Sequence, residues 1–149
     1  MRHFMRILSI TALAAGAAAC DEKLSNIAGP TPNLEPTFSS IQANIFETTD
    51  SAGRTACVTC HTNVGRTPAG GLILLHDLAY DQLVNRPSTQ QTNLNRVTPN
   101  NPDVSYLIRK VEGTAGITGA RMPQNGPPFL TQGQIDIMRR WIELGAPRD

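Results

Sequence analysis

The stretch ACVTCHT, residues 56–62, decides how the rest of the chain is read. It holds two of the three cysteines, Cys57 and Cys60, with His61 directly behind the second. Several chemistries use cysteines at this distance. A structural zinc site needs four ligands, normally a second cysteine or histidine pair. Beyond the leader the chain offers only Cys20 and the solitary His76. A thioredoxin-like redox pair expects a βαβ setting, whereas the flanking sequence has helical periodicity. A disulfide across two intervening residues would be strained.

CVTCH, residues 57–61, fits the C-x-x-C-H signature of covalent c-type haem attachment. That chemistry requires this layout. Two sulfurs three positions apart lie on one side of a helical turn, at the spacing of the two haem vinyl groups. The histidine that follows swings its imidazole beneath the iron as proximal ligand. The prediction is thioethers at Cys57 and Cys60 to one haem c, with His61 on the metal. Haem iron in electron carriers usually has six ligands, and Met122 is the leading candidate for the remaining position. It sits in GARMPQNGPPFL, residues 119–130, among Pro123, Pro127 and Pro128. A stiff backbone of this kind helps a weak neutral thioether stay bound. Met138 lies on an apolar helical stripe and reads as core. His76, at a helix start, reads as polar surface rather than as a second histidine ligand.

The opening of the chain reads as an export signal. MRHFMR (1–6) supplies Arg2 and Arg6, and ILSITALAAGAA (7–18) is an apolar run too short for a lasting membrane span. Ala17 and Ala19 would suit ordinary cleavage, but small residues directly before Cys20 resemble the lipobox of bacterial lipoproteins. Lipidation of Cys20 is favoured, because simple cleavage would leave an unpaired exported thiol. Residues 1–19 are thus predicted as signal peptide and 20–36 as a proline-rich tether. At about 3.1 Å per residue the tether could reach on the order of 50 Å. Residues 37–149 form the domain. The whole chain carries a formal charge of +1, and the part after the leader −1. With no block of lysine or arginine, a nucleic-acid partner is excluded.

Within the domain the periodicity predicts an all-α fold of about four short helices. FSSIQANIFETT (38–49) offers Ser39 with Gln42 as a capping box and Ile41 with Ile45 on one face. A second helix is expected from about Asp77, with Tyr80, Leu83 and Val84 aligned and Pro87 halting it. NPDVSYLIRKV (101–111) reads as one helix capped by Asn101, with Pro102 at its first position. TQGQIDIMRRWIELGAP (131–147) pairs Thr131 with Gln134, carries Ile137, Met138, Trp141 and Ile142 as a stripe, and ends at Gly145 and Pro147. Long loops separate these helices. A domain of this size built from such short pieces is marginal with side chains alone inside, so a large apolar group at its centre would help.

The order of capped helix, C-x-x-C-H, long loops, Met-Pro loop and final amphipathic helix resembles class I cytochromes c. SIQANIF, NPDVSYLIRKV, RMPQNGPP and MRRWIELGAP are similar to mono-haem domains of exported bacterial lipoproteins, over about residues 37–147. The resemblance implies a class I cytochrome c-like fold around one covalent haem, with Cys57 and Cys60 as thioethers and His61 and Met122 on iron. It implies first and last helices crossing near the haem edge, where Phe46 and Trp141 would suit the contact. One departure matters. The family often places Gly-Pro soon after the histidine, with a carbonyl that holds the imidazole N–H. TPAGG (67–71) has its proline earlier, which leaves that acceptor unassigned.

The function expected from this set is one-electron transfer by a lipid-anchored, exported carrier on the periplasmic side of a membrane, not an enzyme. Its partners would be redox proteins. Two alternatives share the cofactor. One is a haem subunit of a larger oxidoreductase; the other is a peroxidase or gas sensor with a displaceable sixth ligand. The last would need a polar group over the iron, for which Gln124, Asn125 and His76 are the nearby candidates.

Overall fold

The computed structural model describes residues 34–149. The predicted leader, Cys20 and most of the tether lie outside the described residues. The packed unit begins by Leu34, which is half-buried against the core. The regular elements are all helical, and the described residues contain no strand, only two isolated bridges.

Helix α1, Phe38–Ile41, passes directly into a π-helical turn, Gln42–Phe46. Its cap is Thr37, in extended conformation after Pro36, whose hydroxyl accepts the Ser40 amide at 3.3 Å. The expected Ser39–Gln42 box therefore does not form. Ser39 is already inside the helix, and the Gln42 amide is buried, donating to Leu74 O at 2.8 Å and Glu47 Oε1 at 2.7 Å. Ile41 and Ile45 are fully buried on the inward face, as the spacing predicts.

Helix α2, Ala79–Leu83, stops well before Pro87. Val84 turns extended instead and bridges Val97, while Pro87 bridges Asn95. Amides of Asn85 and Ser88 reach the carbonyls of Val97 and Leu94 at 2.9 and 2.8 Å. Long-range backbone pairing thus satisfies donors that another helical turn would have used. The segment from Asn101 is also divided. Pro102–Val104 form a 3₁₀ turn, Ser105 is extended with ψ 117°, and helix α3 runs Tyr106–Glu112. The Ser105 hydroxyl holds the break, donating to Asn101 O and accepting from the Thr98 amide, both at 2.9 Å. Asn101 makes no side-chain cap.

Helix α4, Gln132–Glu143, follows its sequence most closely. Thr131 and Gln134 form a reciprocal capping box, with bonds of 3.2 and 3.0 Å. Gly145 ends the segment at φ +94°, a conformation glycine adopts without steric cost. Trp141 is fully buried on this helix. Its ring lies 5.6 Å from that of Phe38 on α1, and Phe38 meets Tyr80 on α2 edge-on at 5.2 Å. These three rings pack together, with Phe38 and Trp141 in the core and Tyr80 against it. The α1–α4 contact therefore uses Phe38 with Trp141, and Phe46 is left to face elsewhere. On the outside Arg139 of α4 pairs with Glu112 of α3 at 3.0 Å and with Asp103.

Candidate functional site

The CVTCH segment folds as a 3₁₀ turn, Cys57–Thr59, continued by two overlapping bonds to one carbonyl. The amides of Cys60 and His61 both reach Cys57 O, at 3.2 and 3.0 Å. Cys57 is half-buried and Cys60 exposed, and both carry free thiols. Behind Cys57 stands Arg54, a fully buried guanidinium paired with Asp50 at 3.0 Å. Its Nη1 donates to Ile45 O at 3.3 Å and lies 3.9 Å from Cys57 Sγ, while Nη2 has no protein partner. Burial pushes the Cys57 thiol up, outweighing the opposite pull of the Arg54 charge. At neutral pH the sulfur keeps its hydrogen.

The loop after the turn is stitched back onto it. Ala69 N donates to Cys60 O at 3.1 Å and Leu74 N to His61 O at 2.8 Å. This brings the Ala69 carbonyl to 3.0 Å from His61 Nδ1. A carbonyl can only accept, so Nδ1 carries the proton of the neutral ring and Nε2 keeps its lone pair. Burial holds the His61 pKa below the ordinary imidazole value, helped by the positive charges of Arg96 and Lys110. The ring is thus set as a neutral Nε2 donor, with an oriented second nitrogen of the sort that metal-bound histidines have. The acceptor that the sequence left unassigned is the residue after Pro68.

Cys57 and His61 line a cleft that opens to solvent at its mouth. One wall is Ile45 and Phe46 from the π turn, with Leu72 and Leu74 from the loop. Leu107 and Val111 of α3 and Met138 of α4 form another. Met122 also lines it, half-buried, with its amide donating to Lys110 O at 2.8 Å. The cleft therefore brings Met122 to the turn that carries Cys57 and His61, some sixty residues earlier in the chain. Cys60 does not line it and stands at the surface next to His61. Met138 is fully buried core that also touches the cavity.

The remaining candidates are placed elsewhere. His76 is exposed, with Nδ1 3.5 Å from Glu47 Oε1. Asn125 donates to Thr55 Oγ1 at 3.0 Å, and of the three polar distal candidates Gln124 alone lines the cleft. Trp141 directs its indole N–H to Pro147 O at 2.9 Å. Among the described residues no three His, Cys, Asp or Glu side chains gather as a metal-holding group.

Two cleft residues escaped the sequence reading. Arg96 and Lys110 are 7% and 8% exposed, yet neither pairs with a carboxylate among the described residues. Arg96 donates to Gln82 O at 2.8 Å and Gly71 O at 2.9 Å; Lys110 Nζ donates to Thr118 O and Ala120 O. Buried cations without counter-ions are costly, and here they border a mainly apolar cavity. The signal for Lys110 was its place beside the apolar stripe of Leu107, Ile108 and Val111. Nothing local distinguished Arg96.

No protein-family model matches the chain, and comparison with curated proteins and with solved structures gives no match either.

Proposed function

We propose that the cleft holds one haem c, and that the protein is a one-electron carrier with a class I cytochrome c-like fold. The observation that carries this reading is the meeting of Cys57, His61 and Met122 on one apolar cleft, with the His61 ring fixed as a neutral Nε2 donor. The residues fit the group in three respects. Apolar walls suit a flat macrocycle, the buried Arg96 cation suits its acidic substituents, and the donors are the imidazole and thioether of a low-spin electron carrier. Held by His61 and Met122, a haem would supply reversible one-electron exchange with both protein ligands retained.

The chain's own residues have separable roles. Each cysteine thiol would add to one vinyl group: the sulfur bonds to carbon, and the thiol hydrogen is taken up by the neighbouring vinyl carbon. Ala69 O fixes the His61 ring, and the Met122 thioether favours the reduced state more than a second imidazole would. With Cys60 exposed, a thioether there would set one edge of the group near solvent, where partner proteins would meet it. Lipidated Cys20 and the tether would keep the domain at a periplasmic membrane surface. The donor and acceptor would be redox proteins.

The test is mass spectrometry of the chain made in a host competent for cofactor maturation. One covalently added haem on the Cys57–Cys60 peptide is expected, and its absence would refute the reading. The oxidised protein should show the long-wavelength iron–sulfur charge-transfer band, lost in Met122→Ala. Rapid carbon monoxide binding by the reduced native protein would point instead to an open sixth position. Cys20→Ser should release the domain from membranes.

A further inference from the structure

The prolines that stiffen the loop all follow Met122, and the stretch that leads into it from α3 has little stiffness of its own. Between α3 and Met122 it contains Gly113, Gly116 and Gly119, all at positive φ, so its backbone is free in many conformations once unrestrained. The restraint comes from α3. Tyr106 and Lys110, one turn apart, project toward this segment. The Tyr106 hydroxyl accepts the Thr118 amide at 3.0 Å and donates to Gln90 Oε1 at 3.3 Å. Lys110 Nζ donates to Thr118 O at 2.9 Å and Ala120 O at 2.7 Å, and Lys110 O accepts the Met122 amide at 2.8 Å. Arg121 Nε donates to Val111 O at 2.8 Å.

We propose that Lys110, assisted by Tyr106, is the positioning residue for the sixth ligand: its buried ammonium gathers the Thr118 and Ala120 carbonyls and so fixes the backbone from which the Met122 thioether would bind the iron. This rests on the haem reading above. An apolar side chain would fill position 110 at lower desolvation cost, so the ammonium is accounted for by what its bonds hold in place. A thioether is a weak ligand, and its effective concentration at the metal depends on how little order its loop must still acquire. Charge-assisted bonds to two carbonyls supply that order in advance.

The experiment compares the full-length haem-loaded protein with Lys110→Met, Lys110→Arg and Tyr106→Phe, using mass spectrometry, the charge-transfer band and titration of the oxidised form with imidazole. Lys110→Met is expected to load haem, to show a weakened band, and to exchange sulfur for imidazole at on the order of tenfold lower concentration, the equivalent of one charged hydrogen bond. Lys110→Arg should recover most of the band. A Lys110→Met protein with native band and native imidazole affinity, even at reduced melting temperature, would overturn the proposal. Should Lys110→Met fail to fold, Tyr106→Phe decides: a roughly threefold shift is expected, and no shift refutes it. Native protein with haem but no charge-transfer band would remove Met122 ligation, and the positioning role with it, while leaving haem attachment standing. Native protein without haem would remove the parent reading itself.

Discussion

Cys57 and Cys60 have the same chemistry in sequence and different surroundings in the fold. Burial raises the Cys57 pKa, whereas Cys60 stands in solvent. Since alkylation requires the thiolate and access to it, a short iodoacetamide pulse on chain made without haem should label Cys60 first. Peptide mapping by mass spectrometry checks this. Equal labelling would mean that the turn does not form without its cofactor. The haem-loaded chain should take no label at either position. His61 gives a pH signature in the same haem-free material. Its ordinary pKa is 6.5 and burial lowers the folded value. The unfolded chain then binds the proton more readily, so the His61 contribution is complete above about pH 6.5 and is lost as acid approaches the folded pKa. Urea midpoints of the native chain should decline relative to those of His61→Gln as pH drops through this window.

At the level of the elements, sequence and structure agree where the determinants are local. Thr131 and Gln134 lie three residues apart and need only each other, so the α4 start was legible. Thr131→Ala should cost about 1 kcal/mol, read as a lower denaturation midpoint of the loaded protein. The divided helix at Ser105 and the early end of α2 depend on distant partners, Thr98 for one and Val97 for the other. No periodicity within either segment encodes those. The same holds for the cleft. Cys57, Cys60, His61 and Met122 announce themselves by motif and by proline context. Ala69 contributes only its carbonyl, which every residue has, and its role emerges from the stitching of residues 60–74. Gly113 has a sharper requirement. It closes α3 at φ +74°, and an added Cβ would fall 2.8 Å from Arg121 Cδ. Gly113→Ala is expected to destabilise by roughly 1–2 kcal/mol from backbone strain. Because Arg121 adjoins Met122, the substitution should also weaken the charge-transfer band.

For the molecule as a whole, the helices are short, and the core they share includes the Phe38, Tyr80 and Trp141 rings and residues that also line the cleft. Trp141 is the chain's single tryptophan and is fully buried. Trp141→Ala should cost on the order of 3–5 kcal/mol, measured by chemical denaturation. In the haem-loaded native protein its emission should be quenched by energy transfer and should rise on unfolding. Chain without haem should lack that rise. The all-α class could be read from periodicity, since no described segment pairs as more than an isolated bridge. The cation lining of the cleft could not, because Arg96 reaches it through the non-local pairing of residues 83–88 with 94–97.

The Ser39 amide donates to Asp149 Oδ1 at 3.1 Å, so the start of α1 and residue 149 sit side by side. A circularly permuted chain, with residue 149 joined to residue 34 through a short glycine bridge and opened at Gly65 within the exposed run 63–67, would keep every helix intact. It would also cut the covalent path between His61 and Ala69, leaving their alignment to the hydrogen bonds of residues 60–74 alone. Such a rewired domain would show whether the grip on the imidazole belongs to the connection or to the folded scaffold.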